Sequence, residues 1–425
     1  MSLLGFDPVL DRLPVIADPD ATAALFADQL GPGVRVLRRQ DTKYRPRSRC
    51  VAVFELAADG QEPGARTFGV VTVTPEGAGA RLMDADPDLP ALAEALDPGR
   101  MAARFATALP GVEACEATAV RYKPGARCVV RYRLRTGTGT VELYGKLLGD
   151  GLDQQLATVG ELVAAGGRDP AMPGVLPVTA AWPDLGLLVQ PAVERAAELN
   201  DRAFDPDVPE RRRERWLEGA GRCLAALHGC ALPAAPLRRH GGDLDELRGY
   251  LGPLRQADPD LAGRFEAVLD ALGGPGRPDR DAGDDHGARD ARDAGDAEDP
   301  PTGGHGAFRT DQFLIDGERL VLIDLDTACR AEPARDLGNL LAYLDWKAIR
   351  RPAAAGMTAR AGESFLAGYA RGREPPARRR VERHRAASLL KIAGRRYRSL
   401  TVNEWPLVPQ LVERAAVLAD AGTLA

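Results

Sequence analysis

Two stretches in the first third of the chain alternate apolar and polar positions in nearly the same letters. "TKYRPRSRCVAVFEL" at 42–56 and "VRYKPGARCVVRYRL" at 120–134 share a tyrosine, a basic residue, a proline, a short turn and then Arg-Cys-Val opening an alternating run, offset by 78 positions. Period-two alternation of β-branched and aromatic residues around a Pro- or Gly-containing turn predicts a hairpin in each. Each copy continues through a glycine-containing turn into a further strand-like run, "TFGVVTVTP" at 67–75 and "VELYGKLLG" at 141–149. A duplicated sheet unit accounts for this; two unrelated hairpins with common turn chemistry are the alternative. The copies differ where Lys146 follows "LYG", the corresponding place after "FG" being Val70.

Beyond Lys146 the period changes. Leu152, Leu156, Val159 and Val163 follow helical spacing and the run stops at Gly-Gly. Strand-like "GVLPVTAAW" and "LGLLVQPAV" come next, and from Pro209 onward the pattern is mainly helical, "RERWLEGAGRCLAALHG" being the clearest amphipathic stretch. The expected class is α+β, with a β-rich first half joined to an α-rich second half near 190–193. Residues 1–112 then form an N-terminal region, a possible degenerate duplicate, ahead of a β-rich domain at 113–190 and a helical domain at 191–425. Within the last, 273–304 lacks Val, Ile, Leu, Met, Phe, Trp and Tyr. Such a segment cannot offset its ordering entropy by burial, and a disordered surface insertion is expected. The stretch 377–400 carries nine Lys or Arg against one Glu, with Ala386, Leu389, Leu390, Ala393, Tyr397 and Leu400 at helical core spacing. A helix with a solvated basic face is its default reading; lining an acceptor cleft is the other.

Composition narrows the function classes. A chain of 425 residues, 44% hydrophobic, can bury two or three domains. A net charge of −5, from 56 basic and 61 acidic side chains, gives no general attraction to nucleic acid or acidic membranes. No basic leader precedes an apolar run at the N-terminus, and no stretch reaches 18 uninterrupted apolar residues, so a cytoplasmic protein without membrane spans is expected. Cys50, Cys115, Cys128, Cys223, Cys230 and Cys329 form no Cys-x-x-Cys pair, which reads as reduced thiols without structural zinc.

The chemistry concentrates in "HGAFRTDQFLIDGERLVLIDLD", beginning at His305. Two short strands joined by an Asp-Gly turn deliver Asp324 and Asp326 at their end, and strand-end carboxylates suit a hard cation such as Mg2+. An ordinary hairpin whose last acid caps a turn has the same pattern. Together with "KPGAR" at 123–127, Lys146, "VQPAV" and "LAALHG", the stretch resembles the aminoglycoside phosphotransferase and choline kinase-like family over roughly 119–343.

That resemblance implies a bilobal protein-kinase-like fold with a β-rich N-lobe, a helical C-lobe and here an extra N-terminal β-rich region. It implies ATP and Mg2+ as cofactors and a small-molecule acceptor. Lys123, Gly125 and Arg127 would cover the nucleotide phosphates, Lys146 would pair with them, Glu161 would orient that lysine (Gln154 and Gln155 compete), and Gln190 to Val193 would form the hinge. Asp324 and Asp326, with Gln312, would hold the metal. His305 would orient the catalytic loop, Asp336 would cap a helix or brace that loop, and Arg309 would contact phosphate or remain exposed. Two departures stand out: Ala307 occupies the place of the family's catalytic carboxylate, and Gln312 that of its asparagine. Asp311 is the nearby substitute. The implied function is an ATP- and Mg-dependent phosphotransferase acting on a small hydroxylated metabolite, anionic or neutral if the basic helix lines the cleft. The alternative is a catalytically silent kinase-fold module that binds nucleotide or regulates a partner.

Overall fold

A computed structural model describes residues 6–31, 33–58, 67–193, 196–273 and 299–421. They fall into two compact units. The first comprises Met1–Gly160, Leu176–Glu194 and Arg396–Asn403, and the second Glu161–Val175, Arg195–Arg395 and Glu404–Ala425. The first is β-rich and the second mainly helical, so the α+β class expected from the pattern holds.

The first unit contains two antiparallel sheets. One runs in sequence order through β1 (Val34–Arg45), β2 (Arg49–Ala58), β3 (Thr67–Thr74) and β4 (Gly77–Leu82). The other begins with β5 (Val112–Lys123), β6 (Arg127–Thr136) and β7 (Gly139–Leu148), and then takes Leu187–Pro191 and Ala180–Trp182. Tyr44 pairs with Cys50 and Tyr122 with Cys128, so the two hairpins share register as well as letters.

The likeness also reaches further upstream than the quoted letters. Helix Pro19–Leu30 precedes β1 and helix Pro98–Ala108 precedes β5, each opening on an N-cap aspartate, Asp18 or Asp97, whose side chain accepts first-turn N–H groups. In each copy a second Asp-Pro aspartate grips the hairpin. Asp7 Oδ2 accepts from Tyr44 Oη (2.8 Å) and Arg47 N (2.7 Å), and Asp86 Oδ2 accepts from Tyr122 Oη and Gly125 N (2.9 Å).

Register corrects one equivalence. Lys146 lies opposite Val129, and the residue opposite the matching Val51 is Thr72 rather than Val70. Matching on "FG" and "YG" slips by two because the β2–β3 and β6–β7 connections differ in length.

In the second unit Phe313–Asp316 and Arg319–Leu322 form the expected hairpin, turning at Gly317 (φ 61°), flanked by Ala197–Glu198 and Gly174–Val175. Helices Glu210–Leu227 and Ala355–Gly372 pack so closely that a Cβ on Gly368 would fall 2.1 Å from the Glu218 carbonyl oxygen. Of the segment read as a disordered insertion, 274–298 lie outside the described residues. Its end is not loose: Thr302–Gly304 form a strand paired with Cys329–Ala331, because glycines at 303 and 304 let this backbone approach Cys230 and Asp336. All six cysteines are free thiols, and among the described residues no helix is long and apolar enough to cross a membrane.

Candidate active site

The stretch from Thr302 to Asn339 is organised around one buried carboxylate. Asp336, in the first turn of helix Ala334–Arg350, is 2% exposed and accepts from the backbone N–H groups of His305 (2.7 Å) and Phe308 (3.4 Å). His228 Nε2 lies 3.6 Å from it, and His228 Nδ1 is 2.8 Å from Tyr369 Oη. Burial alone would raise the Asp336 carboxyl, but the hydrogen bond from His228 and the charge of Arg335 hold it below the ordinary carboxylate range. The N-cap of its helix is Pro333 and has no side-chain cap, so Asp336 serves as a loop brace.

The braced loop leaves little freedom at 305–308. His305 is fully buried, its Nε2 is 3.0 Å from the Ile323 carbonyl, and its own carbonyl accepts from Thr327 Oγ1 at 2.9 Å. Burial pushes the imidazole below its usual pKa, so the ring is neutral. Gly306 has φ 76°, and a Cβ there would fall 2.1 Å from the Thr327 carbonyl oxygen, which restricts the position to glycine. Asn339 Nδ2 donates to Phe308 O at 3.0 Å and closes the loop from below.

Downstream, Gln312 is 3% exposed and its backbone carbonyl accepts from Ile323 N (2.9 Å). Its side-chain Oε1 is buried without a hydrogen-bond partner among the described residues. Asp324 adopts a left-handed backbone, φ 59° and ψ 50°, uncommon outside glycine, and opens the short turn Leu325–Thr327 that carries Asp326. The Asp311 carboxylate is held by Arg309 Nε at 2.9 Å, and the Arg309 guanidinium lies 4.7 Å over the Tyr343 ring while donating to its hydroxyl at 3.1 Å. Arg309 is thus packed rather than an exposed loop arginine. Glu161, on helix Leu152–Gly166, accepts from the Ala234 backbone N–H at 3.2 Å.

The remaining sequence candidates belong to the first unit. Lys123 and Arg127 face each other across the β5–β6 turn, and Gly125 between them has φ 66° with its N–H on Asp86. Lys146 sits two residues before the end of β7, between Val129 and Leu188. Gln190 is the penultimate residue of the neighbouring strand Leu187–Pro191, its amide donating to Leu176 O at 2.6 Å, and half-buried Val193 follows.

A cavity of about 260 Å³ opens beside Ala307. Gly306, Ala307, Arg309, Thr327 and Asn339 line it from the loop side. Helix Arg378–Arg398, the basic stretch of the sequence, contributes His384, Ala387, Ser388, Lys391 and Arg395. Arg238, Asp243, Glu246 and Arg335 complete its charged lining, giving five cationic side chains against two carboxylates. Both carboxylates are engaged, Asp243 by a two-pronged bond to Arg335 (2.8 Å each) and Glu246 by Lys391 (2.8 Å). The basic helix is therefore no solvated face; Arg385 also binds Asp345 through two 2.6 Å bonds. Sequence reasoning missed Asp86, Asp243, Glu332 and His384. For Asp86 the repeated Asp-Pro at 7–8 and 86–87 was the available signal; for the others the partners are too far apart in sequence.

A loop braced at its histidine, a strand-end aspartate in left-handed backbone and a charged cavity beside the loop come together in the second unit. The profile of the Phosphotransferase enzyme family matches residues 150–375, over half the chain, and the protein belongs to that family. No curated protein sequence matches significantly. Among solved structures, a choline/ethanolamine kinase family protein from Mesorhizobium loti is similar at 18% identity over 77% of this chain and 95% of that one, with a TM-score of 0.41. The macrolide 2'-phosphotransferase from Brachybacterium faecium gives 18%, 75%, 97% and 0.43. Choline kinase from Cryptosporidium parvum Iowa II gives 10%, 76%, 97% and 0.47.

Proposed function

We propose that this protein transfers the γ-phosphoryl group of ATP to a hydroxyl of a small anionic metabolite, in the cytoplasm. The single observation that carries the reading is the cavity beside Ala307, walled by the braced loop on one side and by the basic helix on another. Its excess of cations favours an anionic acceptor and disfavours polycationic ones. Its volume of about 260 Å³ falls below the roughly 300–1,000 Å³ of pockets for drug-sized ligands, which suits a compact metabolite.

The residues present fit a metal-bound nucleotide. A buried, unpartnered Gln312 carbonyl oxygen costs about 1–3 kcal/mol, and a hard cation takes such an oxygen readily. Asp324, and with it Asp326, would supply the anionic ligands; the phosphate role of Lys146 and the Lys123–Arg127 turn, and the adenine role of Gln190 and Val193, are carried by the family resemblance alone. Mg2+ bound there would neutralise the charge on the phosphates. Asp311, already tied to Arg309, serves the loop rather than the proton.

The second reading, a silent nucleotide-binding module, is favoured by the methyl group at 307, which accepts no proton. Two measurements separate the readings. Mg-ATP at 100 times its Kd should stabilise the fold by about 2.7 kcal/mol, and Asp324→Ala should remove the shift. ADP formation with a panel of hydroxy acids and sugar acids should exceed that with water or kanamycin. No melting shift defeats both readings; a shift without turnover on any acceptor leaves the silent module.

A further inference from the structure

The cavity holds one imidazole that the account above does not use. His384 lines it together with Gly306, Ala307 and Thr327. Its Nε2 lies 3.0 Å from Glu332 Oε2, and the residue is 4% exposed. We propose that the His384–Glu332 pair takes the acceptor's proton, the task left vacant by the methyl group at 307; this rests on the phosphotransfer reading.

The chemistry follows from the bond to Glu332. Burial by itself would raise the Glu332 carboxyl, but the hydrogen bond from His384 and the charge of Arg380 hold it low, so it is a carboxylate at neutral pH. A carboxylate at Nε2 fixes the proton there and leaves the lone pair on Nδ1, as an orienting carboxylate does in hydrolase triads. Nδ1 makes no hydrogen bond among the described residues.

The placement is rigid. A Cβ on Gly338 would fall 2.8 Å from His384 Cβ and 2.6 Å from Arg385 N, so the basic helix seats directly on helix Ala334–Arg350. That helix also carries Asp336, which holds His305 and Phe308, and the imidazole and the loop are therefore indexed to one element.

The surroundings leave His384 as the available base. His240, with its ring centroid 4.8 Å away, is driven down to about 3 by burial and stays neutral, its Nε2 already accepting from Arg383. Asp243 is bound by Arg335, Glu246 by Lys391 and Asp311 by Arg309. Arg380 and Arg383 are the charged neighbours on its own helix. Ligand atoms of His240, Asp243 and His384 lie within 4.8 Å of one another, but the prior engagement of the first two makes the trio a poor cation cage.

In the step, the acceptor O–H bond breaks and its proton goes to Nδ1. The acceptor oxygen bonds to the γ-phosphorus of the nucleoside triphosphate. The bond from that phosphorus to the β–γ bridging oxygen breaks, and its electron pair leaves with the diphosphate. The imidazolium then returns its proton to solvent.

The test is single-turnover ADP formation from Mg-ATP, with water and with gluconate as acceptors, across pH. His384→Gln and Glu332→Gln should each lower the rate by about 100-fold, within the range of a lost general base, and leave the Mg-ATP melting shift unchanged. His384→Gln should also lose the acid limb of the pH profile. Adding Ala307→Asp should recover at least about tenfold in either variant and change the wild type less. A folded His384→Gln within a few-fold of wild type, or no recovery by Ala307→Asp, overturns the assignment; should His384→Gln fail to fold, Glu332→Gln decides alone. Wild type that binds Mg-ATP without turnover overturns it too and favours the silent module, whereas absent binding removes the phosphotransfer reading itself.

Discussion

At the scale of single residues the site depends on Asp336 more than on any motif letter. It accepts two backbone N–H groups and faces a buried histidine, so removing it strands three polar groups at once. Asp336→Ala should cost about 3–5 kcal/mol in chemical denaturation, the usual penalty for removing one side of a buried pair. A loss under about 1 kcal/mol would mean that the loop holds its shape unaided. His305 and Asp324 were legible in the sequence because they sit inside a contiguous motif. His384 was not, because its partner Glu332 is 52 positions away and its ring meets the loop only through helix packing.

Among elements, the hairpin grip of Asp86 on Tyr122 and Gly125 sets the turn that carries Lys123 and Arg127. Burial would raise this carboxyl, but the bonds from Tyr122, Gly125 and Asp88 and the charge of Arg81 keep it low, so it grips as an anion. Asp86→Ala should therefore speed hydrogen exchange at the Gly125 amide by about tenfold or more, since a net hydrogen bond to a charged group contributes about 1.5–3 kcal/mol. Unchanged exchange would assign the turn's rigidity to its strand register alone. The hairpins themselves were readable from alternation. The basic helix was half readable: its core stripe follows from spacing, while its ion pairs to Glu246, Asp345 and Glu332 come from elements that no local pattern connects to it.

Over the whole molecule the order of a β-rich half before a helical half was legible, because period two gives way to period 3.6 at a definite point. The division into units was not, since helix Leu152–Gly166 crosses the boundary at Gly160. Stability should also carry a signature of the buried imidazoles. Burial lowers His240 from 6.5 to about 3, so below pH 6.5 the unfolded chain takes up a proton that the folded one refuses. Stability should then be flat above that pH and fall as pH drops toward 3, by up to about 1.4 kcal/mol per unit from this group. Melting temperatures from pH 7 to pH 4 should fall more gently in His240→Leu than in wild type; parallel curves would locate the acid sensitivity elsewhere.

The charged cavity has a practical corollary. A space of about 260 Å³ with five cationic side chains is large enough for sulfate, inorganic phosphate or citrate, ions present at millimolar levels in common laboratory buffers. Such ions would compete with the physiological guest, and an assay run in phosphate-buffered saline would record a self-inflicted inhibition. Turnover measured in a zwitterionic buffer with chloride as the only small anion should exceed that in phosphate at equal ionic strength, and the ratio between the two would gauge how strongly the cavity holds an anion before any acceptor is known.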